Sequence, residues 1–193
     1  WTAGRRPSPW SAATWGATII QSTTNAPIIR YTMATRAGGP LNAVRFSRVS
    51  NLMLVGAVGA GTSQHGLQID NRGLIVTNVS VKNCGGNGFY LTDSVSSLLT
   101  NASANDCTGD GFTFDMTGTV AGGGSVNDNL LVHPTTLTNG GIGFNFIQAY
   151  NNTLVKPTAD TNTGDGIVFG TVTTNNRQNR VLGAYSSGNN GNA

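Results

Sequence analysis

Several groups of residues in this chain are of types that do chemistry. All eight acidic residues are Asp, spread from Asp70 to Asp165, and there is no Glu. Asp70 and Asp115 each stand four residues after a glycine that opens a strand-like segment, "GLQID" and "GFTFD". If such segments stack at the strand spacing of about 4.8 Å, with one segment between them, the two carboxyls sit roughly 9.6 Å apart. That is near the separation of about 6.5–9.5 Å at which one carboxyl protonates a glycosidic oxygen and another activates water. Gln68, Tyr90, Asp93 and Thr113 fall in the same or the intervening segments. Amides, a hydroxyl and an aromatic ring suit a sugar, with Tyr90 as the stacking platform. The same residue types also make an ordinary solvated sheet face, on which the two carboxylates would point outward into water.

Cys84 and Cys107 occupy like places in "NCGGNGF" and "NDCTGDGF". At one strand spacing their Cα atoms fall within disulfide range, yet parallel stacked side chains hold their Cβ atoms too far apart for an ordinary bridge. Two stacked free thiols are the expectation, and no His shares their column to activate either. His65 and His133, the two histidines, sit at unlike places. "GDG" at 109–111 and 164–166 suggests the Gly- and Asp-rich nonapeptides that bind calcium, but its spacing is far longer than nine residues and the second Asp of that motif is missing. No motif calls for a metal ion or a cofactor.

The elements that hold these residues are set by a repeat. Segments "LMLVGAVGAGTSQHG" (52–66), "LIVTNVSVKNCGGNG" (74–88), "SLLTNASANDCTGDG" (97–111), "NLLVHPTTLTNGGIG" (129–143) and "NTLVKPTADTNTGDG" (152–166) align without gaps, and "NRVLGAYSSGNNG" (179–191) is a shorter sixth. Their closing glycines, Gly66, Gly88, Gly111, Gly143 and Gly166, are 22, 23, 32 and 23 residues apart. Each is followed by an alternating piece whose first and third residues are apolar, as in Phe89-Tyr90-Leu91 and Phe112-Thr113-Phe114. That is the period of a strand with one buried face. A further column holds Leu54, Val76, Leu99, Leu131 and Leu154. Like residues lying over like predict internal ladders, with Phe89, Phe112 and Phe144 in one stack and Leu91, Phe114 and Phe146 in another. Gly-x-Gly then reads as a corner, where glycine supplies positive φ and close backbone approach. The residue between the glycines is free to be Asn87, Asp110, Asp165, His65 or Ile142, which a carboxylate site would not allow.

Composition narrows the function classes. Only 10% of the 193 residues are charged, and the net charge is +3. No basic run marks a nucleic-acid binder. No apolar stretch approaches the roughly 18–20 residues that span a bilayer. The chain opens at Trp1 instead of Met, which suggests a processed or excised piece.

A period of 22–23 residues with short strands and no helical pattern resembles the parallel β-helices of the pectate-lyase type. Low charge, absent Glu and Gly/Asn/Thr-rich coils are most similar to bacteriophage tailspike and appendage proteins. The resemblance implies an all-β, right-handed parallel β-helix solenoid of about six coils. It covers residues 46–193, with residues 1–45 as an N-terminal arm or cap. That arm carries all three Trp and five of the nine Arg. The resemblance further implies an extracellular virion component, a homotrimer that meets other virion proteins through its arm and binds bacterial surface polysaccharide. A polysaccharide lyase or glycoside hydrolase on the same scaffold is the alternative, with Asp70 and Asp115 its catalytic pair. The extra residues in "DMTGTVAGGGSVNDN" (115–129) read as a loop projecting from one edge. Ile147 and Val168 stand at outward positions and predict an apolar patch between copies.

Overall fold

The computed structural model describes residues 18–32, 47–70, 72–116, 125–170 and 176–191. The first part of the expected arm, with its three Trp, lies outside them, as do the central residues of the inserted loop at 117–124. The described residues form sixteen strands and no helix. In chain order these are β1 (Thr18–Gln21), β2 (Ile29–Thr32), β3 (Arg48–Val55), β4 (Leu67–Asp70), β5 (Ile75–Lys82) and β6 (Phe89–Leu91). Then come β7 (Leu98–Asn105), β8 (Phe112–Asp115), β9 (Leu130–Val132), β10 (Thr135–Leu137) and β11 (Phe144–Gln148). The last are β12 (Thr153–Val155), β13 (Thr158–Asp160), β14 (Ile167–Phe169), β15 (Arg180–Leu182) and β16 (Tyr185–Ser187).

Every pairing is parallel. A six-stranded sheet runs β2-β4-β6-β8-β11-β14, and a ten-stranded sheet holds the rest. The chain alternates between the two sheets, and each strand pairs with its counterpart one repeat away. The arrangement is compatible with a parallel β-helix. Pairing also reaches into the segment assigned to the arm, because β1 pairs with β3 and β2 with β4.

Ladders of like residues fill the space between the sheets. Phe89 stacks on Phe112 at 4.4 Å between ring centroids, and Phe112 on Phe144 at 5.2 Å. Leu91 pairs with Phe114, which stacks on Phe146 at 4.3 Å. All five phenylalanines and Leu91 are fully buried. Polar ladders continue the same logic. Asn129, Asn152 and Asn179 form one chain of amides, each Nδ2 donating to the next Oδ1 at 2.9 and 3.0 Å. Asn139, Asn162 and Asn189 form a second, at 2.9 Å in both steps. Each accepting Oδ1 also takes the backbone N–H of the Asn before it. A buried amide costs free energy unless paired, and here the repeat supplies the partner.

The corners differ from the sequence expectation in one respect. None of the five anchor glycines has positive φ. They are glycine for lack of room: a Cβ on Gly66 would lie 2.2 Å from Val81 Cγ1, and one on Gly111 would lie 2.3 Å from Thr136 Cγ2. Positive φ falls instead on three stacked columns made largely of non-glycine residues. One runs Asn51, Asn78, Asn101, His133 and Lys156; a second runs Asn83, Asp106, Thr138 and Thr161; a third runs Ser96, Asp128, Asn151 and Gln178. Asn and Asp tolerate this region best among residues with a Cβ, which explains much of the Asn content. The first column creases the larger sheet between an upstream facet (the first half of β3, β5 and β7, with β9, β12 and β15) and a downstream one. At Pro134 and Pro157, next to that crease, the missing N–H interrupts the strand, so β9/β10 and β12/β13 are separate where β5 and β7 run through.

One apolar column is corrected. Leu54 pairs with Val81, and it is Val49 that pairs with Val76. Segment 52–66 has a longer corner than its successors, so gapless alignment on its glycine shifts the strand before it by five residues.

Candidate functional site

Outward positions of the six-stranded sheet carry the candidate sugar-binding residues. Register places Arg30, Gln68, Tyr90, Thr113, Asn145 and Val168 in one column. Thr32, Asp70 and Thr92 lie in the next, and further along it Asp115 pairs with Gln148. The face therefore exists, but its carboxylates are not solvated. Asp70 is 4% exposed and Asp115 8%. The cause is local. Levels about 4.8 Å apart leave no space for water between side chains that can bond each other directly.

Three networks result. Asp70 accepts Arg30 Nε on Oδ2 at 2.7 Å and Gln68 Nε2 on Oδ1 at 3.0 Å, and Thr92 Oγ1 also donates to its Oδ1. Asp115 Oδ2 accepts the Tyr90 hydroxyl at 3.1 Å. Burial, then the charge and hydrogen bond of Asp115, push the Tyr90 phenol up to about 12, so it stays a donor. Thr113 Oγ1 donates to Asp110 Oδ2 at 3.0 Å, and Asn145 Nδ2 donates to the same oxygen at 2.8 Å. Asp93 leaves the face for the following corner, where its Oδ1 accepts the Ser125 N–H at 2.9 Å. Thr92, 1% exposed, fills the level between Asp70 and Asp115. That is the space a glycosidic oxygen would need between two catalytic carboxyls.

The corner residues explain "GDG". His65 Nδ1 accepts the Asn87 N–H at 3.0 Å, Asn87 Oδ1 accepts the Asp110 N–H at 2.9 Å, and Asp110 Oδ1 accepts the Ile142 N–H at 2.8 Å. At His65, Asn87 and Asp110 the middle residue offers an acceptor to the next level, and Ile142, whose N–H is the last to be accepted, offers none. Asp110 is surrounded by donors, the reverse of a cation site. Among the described residues no three His, Cys, Asp or Glu side chains are grouped to hold a metal ion. Cys84 and Cys107 are buried free thiols. The hydrogen bond to Cys107, then burial, push the Cys84 thiol above its ordinary range.

His65 packs its ring against Tyr90 at 4.4 Å. Its Nδ1 must be unprotonated to accept the Asn87 N–H, and burial lowers its pKa although the charge of Asp70 acts the other way. A depressed histidine pKa means the unfolded chain takes up the proton first. Stability contributed by neutral His65 is therefore full above the ordinary value of 6.5 and declines as pH falls below it. Urea midpoints should drop between pH 7 and pH 5, and a His65→Gln variant should lose most of that drop. Equal pH dependence in both proteins would contradict this.

Arg30, Asp110 and Asn145 join the face without having been singled out from the sequence as part of it. Asn145 could have been found, because its spacing after Gly143 puts it in the column of Gln68, whereas Arg30 lies before the aligned repeats and enters the column only through the pairing of β2 with β4. A cleft of about 440 Å³ lined by Met116, Tyr150, Arg177 and Gln178 had no sequence signal, since corners of different length bring these residues together. Tyr150 OH is 2.8 Å from Ser125 Oγ, beside the Asp93 contact.

Compared with known protein families, curated proteins and solved structures, the chain matches none.

Proposed function

We propose that this chain is a rigid β-helical component of a bacteriophage virion, a spike or decoration that binds bacterial surface polysaccharide without cleaving it. In this reading the solenoid is right-handed, of about six pectate-lyase-like coils, extracellular and homotrimeric. Residues of the 1–45 segment meet other virion proteins. One observation carries the non-catalytic half: the carboxylates of the candidate pair are engaged by Arg30, Gln68, Thr92 and Tyr90 instead of facing a space for substrate. The half-buried Gln68, Tyr90 and Asn145 of the outward column each have one polar group tied to an Asp, and their amide oxygens and the remaining part of the ring, at regular spacing, suit a repeating glycan.

Titration calorimetry with purified surface polysaccharides of candidate host bacteria tests this. Saturable binding to at least one is expected, weakened about tenfold or more by Gln68→Ala together with Asn145→Ala. Absence of binding across capsular and lipopolysaccharide preparations would reject the receptor-binding reading.

A further inference from the structure

The outward surfaces of the stack are unequal. Outward residues of the downstream facet are mostly small or polar, such as Ser80, Ser103, Thr135 and Thr158, and those of the six-stranded sheet are described above. The upstream facet differs. Its outward columns bring together Ile75, Leu98, Leu130, Val132, Val155 and Leu182, with Thr77, Thr100 and Thr153 between them. Leu130 is 38% exposed and Leu182 53%. Their inward neighbours Leu131, Leu154 and Val181 pack the core, so these six are not needed there. Charge appears on this facet only at its ends, as Arg48 and Arg180. The six residues fall on five stacked levels, which at about 4.8 Å give an apolar strip roughly 19 Å long.

One acidic and one basic residue stand on opposite long edges of the strip, with Arg48 and Arg180 at the two ends of the column beside the acidic one. Asp128 stands at the upstream edge, two residues before Leu130. Lys156 stands at the downstream edge, directly after Val155, and His133 directly after Val132. All three hold left-handed backbone at the stacked bends and are exposed. When copies stand side by side around an axis parallel to the stack, with equal levels at equal height, the downstream edge of one meets the upstream edge of the next. Asp128 of one copy then faces the His133 level of its neighbour, and Lys156 is one level away.

From this contrast and this complementarity we infer that the upstream facet is the interface between copies of the chain in a cyclic homo-oligomer. The inference rests on the assembly part of the proposed function and adds which face associates. Covering an apolar strip of this size removes the patch that a soluble protein seldom leaves open. Side-by-side rotation makes each contact heterologous yet closed. The half-buried Ile147, expected from sequence to mark the patch, lies at an irregularity in the pairing of β11 with β8 on the other sheet, away from this strip.

Sedimentation velocity of the full chain at micromolar concentration tests the inference. The wild-type chain should sediment as one oligomer. Leu98→Lys with Leu130→Lys should raise the dissociation constant by roughly 100-fold or more. Val168→Lys on the other sheet should leave it unchanged. Asp128→Asn, which suits the left-handed backbone, should weaken association a few-fold and reduce its salt dependence. Circular dichroism reports whether the double variant folds; if it does not, Leu182→Lys at the most exposed position of the strip takes its place. An oligomer that persists in a folded strip variant would overturn the facet assignment while leaving assembly standing. A wild-type monomer would overturn both.

Discussion

Phe112→Ala should cost about 4 kcal/mol of unfolding free energy. Phe112 is fully buried, with the rings of Phe89 and Phe144 stacked on either side at 4.4 and 5.2 Å. The substitution removes most of a large apolar side chain and two aromatic contacts. Collapse cannot repair the loss, because the parallel ladders β6-β8 and β8-β11 hold the neighbouring levels apart. Phe169→Ala is the control. Phe169 stacks on Phe146 but is 47% exposed, so its loss should cost about 1 kcal/mol. Urea titration followed by circular dichroism measures both. Equal costs would mean that the ring stack is not the core of the fold.

Gly88→Ala should cost about 3 kcal/mol, although only one methyl group is added. That methyl would lie 2.4 Å from Ala104 Cβ and 2.8 Å from the Gly111 carbonyl oxygen. Ala104 has no rotamer with which to escape. The Gly111 carbonyl is fixed by the Phe89 N–H at 2.9 Å. Gly59→Ala separates crowding from backbone preference. Gly59 has φ of 86° and open space around its Cβ position, so it pays only for left-handed geometry, about 1 kcal/mol. If the two variants lost the same stability, the anchor glycines would not be packing glycines.

The repeat was legible because a stacked fold writes its internal columns into the sequence. Phe89, Phe112 and Phe144 could be placed over one another from spacing alone, as could Leu91, Phe114 and Phe146. The αL columns were not legible. His133, Lys156 and Thr161 carry no local signature of positive φ; stacking beneath Asn101 and Asp106 imposes it. Segment 52–66 misled for a related reason, since its anchor and its strand are set by different constraints and the corner between them is longer. Of the candidate face, the column positions of Gln68, Tyr90, Thr113, Asp70 and Asp115 were readable. Their burial was not, because it depends on pairings across levels, such as Arg30 with Asp70, that no single segment contains. Arg30 was hidden further by lying in a stretch that looked unlike the coils.

The central claim is that this face binds without turnover, and product sizing tests it most directly. A polysaccharide that the chain binds is incubated with it overnight and analysed by size-exclusion chromatography and by assay of new reducing ends and unsaturated uronates. The account predicts an unchanged chain-length distribution and no new ends. Shortening of the polysaccharide that is abolished by Asp70→Asn with Asp115→Asn, in a variant that still folds, would contradict it and establish the lyase or hydrolase reading instead.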